Sequence, residues 1–136
     1  MRTILFRGKS IALDNKGEWI YGNFGKDIYP DCDEVDYYIG SQDYNKAGYN
    51  VDPETVGQYI GIVDKSYEKI FEGDILLDKK AGSYYRVAYD YNSLGFVFLD
   101  GLTEERIADI KATDVEMKMI VVGNVHDSIA TIGKKS

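Results

Sequence analysis

Short stretches of alternating apolar and polar residues, separated by glycine corners, run along most of the chain. A period of two is the mark of strands with one buried face. Thr3–Arg7 predicts a first strand with Ile4 and Phe6 on one face. After the turn Asp14-Asn15-Lys16-Gly17, Trp19-Ile20-Tyr21 opens a second, so 3–24 reads as a hairpin that Gly22 and Gly25 end or bulge. Residues 31–54 read as a long loop carrying one strand at the apolar island Val35–Ile39, and a loop of that length tends to be functional or mobile. Thr55–Ile62 predicts a further strand, Asp64-Lys65-Ser66 a turn, and Glu72-Gly73-Asp74 the approach to a buried strand at Ile75-Leu76-Leu77. Tyr84–Tyr89 and Gly95–Leu99 pair as a hairpin around Asn92-Ser93. Thr103–Ile110 predicts a helical turn or two, with Thr103 as cap and Glu104-Glu105 in the first turn. Met117–Val122 reads as the last strand, Asn124 as the cap of a short terminal helix, and 133–136 as a frayed end.

The expected fold class is therefore mainly β, a β-rich α+β arrangement. It comprises an N-terminal β-hairpin lobe and a C-terminal SH3-like, partly open β-barrel, with short helical turns near 103–110 and at the C-terminus. A length of 136 residues bounds this to a single domain, with sub-lobes 1–54 and 55–136. Twelve Tyr, five Phe and fourteen Gly against two Pro suit many short strands joined by glycine turns.

Charge changes the picture in one place. The formal net charge is −7, and residues 31–54 carry seven acids against Lys46 alone, so most of the acidity belongs to that segment. No basic run exists, which argues against non-specific nucleic-acid binding but not against a small basic patch assembled from distant residues. The single cysteine, Cys32, precludes an internal disulfide, and no apolar run is long enough to span a bilayer. The expectation is a cytoplasmic protein without a membrane segment.

Chemistry-bearing motifs are sparse. Glu72-Gly73-Asp74 reads as a tight turn with Asp74 bonding nearby amides, the alternative being a ligand-contacting loop. Glu54, Thr55 and Gln58 with Asp52 either line a polar site or belong to a strand whose Gly57 and Gly61 make room for an aromatic such as Trp19. Trp19, Tyr21, Glu54, Thr55, Gln58, Tyr59, Glu72 and Asp74 are the candidate binding residues. His126 is the only histidine, and its neighbours Asp127 and Ser128 cannot form a triad with it, because triad members converge from separate elements. Cys32 and His126 are too few for a structural zinc site, and Asp31–Asp36 lacks the spacing of a calcium loop. No catalytic residue, metal or cofactor is expected, nor a glycine-rich nucleotide loop. Tyr37, Tyr38, Tyr44, Tyr49, Tyr59, Tyr84 and Tyr85 serve either as sheet packing or as interface anchors.

The run Val51-Asp52-Pro53-Glu54-Thr55-Val56-Gly57-Gln58-Tyr59-Ile60-Gly61-Ile62, followed by Asp64-Lys65 and Lys69-Ile70-Phe71-Glu72-Gly73-Asp74-Ile75, closely resembles the YopX family of phage and prophage proteins. Ile4–Gly8, Trp19–Gly22 and Val121–Asp127 fit the same family in order, and 25–50 and 78–116 match most loosely. Ser66-Tyr67-Glu68 stands where the family usually has an Asn-Gly-type turn, and Asp127-Ser128 where an Asn-Pro often follows. The resemblance implies a protein of a phage or integrated element, largely β, self-assembling, with no established activity. The expected function is a non-enzymatic binding protein, a homo-oligomer with a phage or host protein as a further partner. The alternatives are a nucleic-acid-binding or regulatory role in phage gene expression and an acidic DNA mimic acting on a host protein.

Overall fold

A computed structural model of the chain describes residues 3–40, 48–108 and 110–127. The predicted terminal helix, the frayed end and Tyr44 lie outside them. The described chain is mainly β, with two antiparallel sheets and one short α-helix. It divides into two compact units, Met1–Gln58 and Tyr59–Ser136.

In the first unit β1 (Phe6–Lys9) pairs with β2 (Trp19–Ile28), β2 with β3 (Val35–Gly40), and β3 with the short β4 (Tyr49–Asn50). The free side of β1 takes Gly57 and Gln58 at the start of β5 (Gly57–Val63). The first strand thus starts at Phe6, later than Thr3, and β2 runs on past Gly25 to Ile28 rather than ending there. Gly22 explains how β2 passes between two neighbours: its φ is 157°, and a Cβ there would collide with the carbonyl oxygen of Gly40. The described part of the segment 31–54 is less of a loop than its composition suggests. It carries β3 and β4, then a 3₁₀ turn at Pro53–Thr55 that Asp52 caps by accepting from the Glu54 amide at 3.1 Å. The expected strand at Thr55–Ile62 begins two residues late because Thr55 ends that turn.

In the second unit Tyr59–Val63 of β5 pairs with β6 (Lys69–Phe71). A five-stranded sheet has the order β10-β9-β8-β7-β11, built from β7 (Asp74–Asp78), β8 (Ser83–Asp90), β9 (Gly95–Asp100), β10 (Arg106–Ile107) and β11 (Met119–Asn124). The hairpin around Asn92-Ser93 forms as predicted. Asp90 pins its turn by accepting from the Asn92 amide at 3.0 Å and the Ser93 hydroxyl at 2.9 Å.

The helix is where the expectation fails. Among the described residues of 103–110, Arg106–Ile107 form β10 and none is helical, and α1 occupies Ala112–Lys118, so Met117 and Lys118 end a helix instead of opening the last strand. The competitor is Asp100, whose carboxylate accepts from the Leu102 and Thr103 amides at 2.8 and 3.0 Å and turns the chain back onto β9. Helix α1 starts without a Ser, Thr, Asp or Asn cap; instead the Asp114 carboxylate accepts from the Lys111 amide at 3.0 Å.

The core of this unit gathers Ile70, Leu76, Val87, Val115, Met119 and Val121, with Ile60, Ile62, Tyr85 and Phe98 packed against them. Completely burying a side chain such as Leu76 is worth about 1.5–3 kcal/mol, so these few positions dominate the stability of a unit this small.

Candidate functional site

Two buried carboxylates carry the most conspicuous polar chemistry, and both are tied to main-chain amides. Asp74 is wholly buried and accepts from the Phe71 amide at 2.8 Å and from Asn124 Nδ2 at 3.0 Å. Asn124 Nδ2 also reaches the Glu72 carbonyl at 3.3 Å, while its Oδ1 accepts from the His126 amide at 3.0 Å. Gly73, at φ 86°, supplies the left-handed corner between them. A β-bulge between Val121 and Gly123 sets the register that puts Asn124 opposite Asp74. Glu72-Gly73-Asp74 is thus a turn with Asp74 on neighbouring donors, and exposed His126 belongs to the turn that Asn124 starts.

Asp64, 2% exposed, accepts from the Ser66 and Glu68 amides at 2.8 and 2.9 Å and from the Val121 amide at 2.9 Å. The Lys65 amide donates to the Met119 carbonyl at 2.8 Å. Together Asp64 and Lys65 cover the outer edge of β11, which is otherwise an open row of sheet donors and acceptors.

The remaining candidates fall in both units. In the first, Arg7 and Lys9 lie over the Trp19 ring, 4.3 and 5.2 Å from its centroid, and half-exposed Tyr21 stands opposite Arg7 in the register. Thr55 is nearly buried; its hydroxyl accepts from the Lys9 amide at 2.8 Å and donates to the Asp52 carbonyl at 2.7 Å, fastening the 3₁₀ turn to β1. Glu54 is exposed, and Gln58 stands opposite Phe6. In the second unit the Tyr59 ring packs on Phe71 at 5.8 Å, and Glu72 and Asp74 hold the turn described above.

Two surfaces escaped the sequence reading. In the first unit, Phe24, Lys26 and Ile28 of β2 stand opposite Ile39, Tyr37 and Val35 of β3, so all six share one face. Phe24 stacks on Tyr37 at 6.0 Å and meets Phe6 at 6.0 Å. Phe24, Ile28 and Val35 remain 38%, 66% and 37% exposed. Phe24 and Ile28, four residues apart and so on one face of a strand, were the available signal. The acidic residues Asp31, Asp33 and Glu34 lie between these strands, where the Tyr29 hydroxyl donates to Asp36 at 2.9 Å.

In the second unit Lys65, Lys79, Lys80 and Lys118, with Asp78, Ala81 and Met117, line a groove of about 600 Å³. It adjoins a hollow of about 320 Å³ that shares Lys65, Lys79 and Lys118 and adds Leu77 and Ile120. No sequence run announces it, because the lysines come from three separate elements.

Among the described residues, no cluster of three or more His, Cys, Asp or Glu is placed to hold a metal ion, and no helix is long and apolar enough to cross a membrane. Fold and surfaces together define a small antiparallel β protein whose buried carboxylates brace turns. A model of the YopX protein family matches residues 12–130, and the chain belongs to that family. No curated protein matches the chain.

Proposed function

We propose that the chain is a phage-type, non-enzymatic binding protein that acts through protein–protein contacts, with a second copy of itself as the first partner. The observation that carries the reading is the β2–β3 face of the first unit. Three apolar side chains, Phe24, Ile28 and Val35, stand together on a paired two-stranded ribbon and keep more than a third of their surface in water. An apolar patch held in register is the usual ground for association, since covering it releases about 25 cal/mol per Å². The non-enzymatic half is supported by Asp64 and Asp74, whose carboxylates are committed to main-chain and Asn124 donors.

Light scattering on a sizing column at about 100 μM, well above a micromolar dissociation constant, reads the association directly. The expected result is a multiple of the 15.4 kDa chain mass, collapsing to a single chain in a Phe24→Asp/Ile28→Asp variant that keeps its far-UV spectrum. A wild-type chain that stays single at that concentration overturns the reading.

A further inference from the structure

We infer that the lysine groove of the second unit is a binding site for nucleotide phosphates, presented along a single strand of nucleic acid. The inference is independent of the self-association proposed above, since it concerns other residues and another ligand.

A chain of net charge −7 repels polyanions on average, yet four of its sixteen Lys and Arg side chains line one groove. Asp78 is the sole acid lining it, and its Oδ1 already accepts from the Ala81 amide at 3.1 Å. Asp114 stands 3.9 Å from Lys118, an exposed i,i+4 pair too weak to neutralise the cluster. Like charges gathered in one hollow disfavour one another unless an anion is nearby, so the arrangement is at its best when loaded.

The fold holds each amine from a different direction. Lys65 follows Asp64 in the turn that covers the edge of β11, Lys79 and Lys80 sit in the turn joining β7 to β8, and Lys118 ends α1. Separate flexible amines suit phosphates spaced along a backbone better than a single compact anion, which a bidentate arginine fork would grip. The lining also contains Met117, Ala81, Leu77 and Ile120. Bases of a single strand offer apolar faces to such surfaces while their phosphates meet the lysines, a combination that purely ionic ligands lack. A groove of about 600 Å³ continued by a second hollow has room for more than one nucleotide.

The test is fluorescence anisotropy of a labelled oligothymidylate titrated with the full chain, starting near 20 mM salt. Four lysine–phosphate contacts give a log–log salt slope of about −2.8 for a single strand. Lys79→Glu/Lys118→Glu is expected to weaken binding by about tenfold or more. Lys16→Glu/Lys111→Glu, which changes net charge equally at residues that do not line the groove, is expected to leave it within about twofold. Lys79→Gln/Lys118→Gln gives a milder loss and guards against misfolding of the charge-reversed protein. ATP and tripolyphosphate serve as competitors. ATP matching the oligonucleotide would support the phosphate site and assign it to free nucleotides in place of a strand. No binding at the lowest salt, or equal loss in the groove and control variants, overturns the inference.

Discussion

Replacing Asp64 with alanine removes the acceptor from three backbone amides at once, those of Ser66, Glu68 and Val121. The consequences differ by site. Ser66 and Glu68 are exposed, so their amides turn to water and each lost bond costs about 0.5–1.5 kcal/mol. Val121 is buried, and its amide, left without the carboxylate, costs about 1–3 kcal/mol. Relief of the carboxylate's own desolvation offsets part of this, which leaves about 2–5 kcal/mol for Asp64→Ala. Asp64→Asn separates the contributions. Oδ1 serves both loop amides and Oδ2 serves Val121, so an amide can keep the loop bonds while its NH₂ faces the Val121 N–H. The expected loss is about 1–3 kcal/mol, smaller than for alanine. Urea denaturation followed by far-UV circular dichroism measures both. An alanine variant within about 0.5 kcal/mol of wild type would refute the claim that this carboxylate fastens the 64–68 turn to β11.

Two further outcomes follow from local geometry. Tyr67 occupies the left-handed region at φ 65° and is 86% exposed; Tyr67→Asn is expected to stabilise the fold by about 0.5–1 kcal/mol in the same urea assay, and a loss of that size would mean the ring makes a contact worth the strain. The Thr103 and Leu102 amides, in that order, hold the Asp100 carboxyl below the usual carboxylate range. A lowered folded value adds stability above the unfolded pKa of about 3.9 that disappears as pH falls through the folded one, so Asp100→Asn is expected to flatten the acid limb of thermal stability below about pH 4, and an unchanged limb would refute the role.

Much of the fold was legible because strand alternation survives in sequences such as Tyr84–Tyr89 and Gly95–Leu99, where turn residues also mark the corner. What misled was competition between local signals. Thr103-Glu104-Glu105 has the composition of a helix start, but Asp100 three residues upstream captures the amides first. Helix α1 was invisible for the converse reason: Lys111 stands where a cap residue is expected, and the stabilising carboxylate arrives from Asp114 within the helix. The Asp74 turn was readable as a turn, yet its partner Asn124, fifty residues away, was not, since a bulge in β11 sets the pairing. The surfaces were least legible of all. A groove made by Lys65, Lys79, Lys80 and Lys118 leaves no run in the chain, whereas the acid-rich segment that does leave one divides between β3, β4 and the turns around them.

The Asp74–Asn124 bond also bears on how the molecule is made. During synthesis β7 emerges long before β11, and until Asn124 arrives the Asp74 carboxylate lacks a donor it holds in the finished sheet. Water must occupy that place in the nascent chain, and the flank of β7 stays open to wrong pairings in the meantime. The emergence of β11, rather than the appearance of the first strands, therefore times the sealing of this sheet.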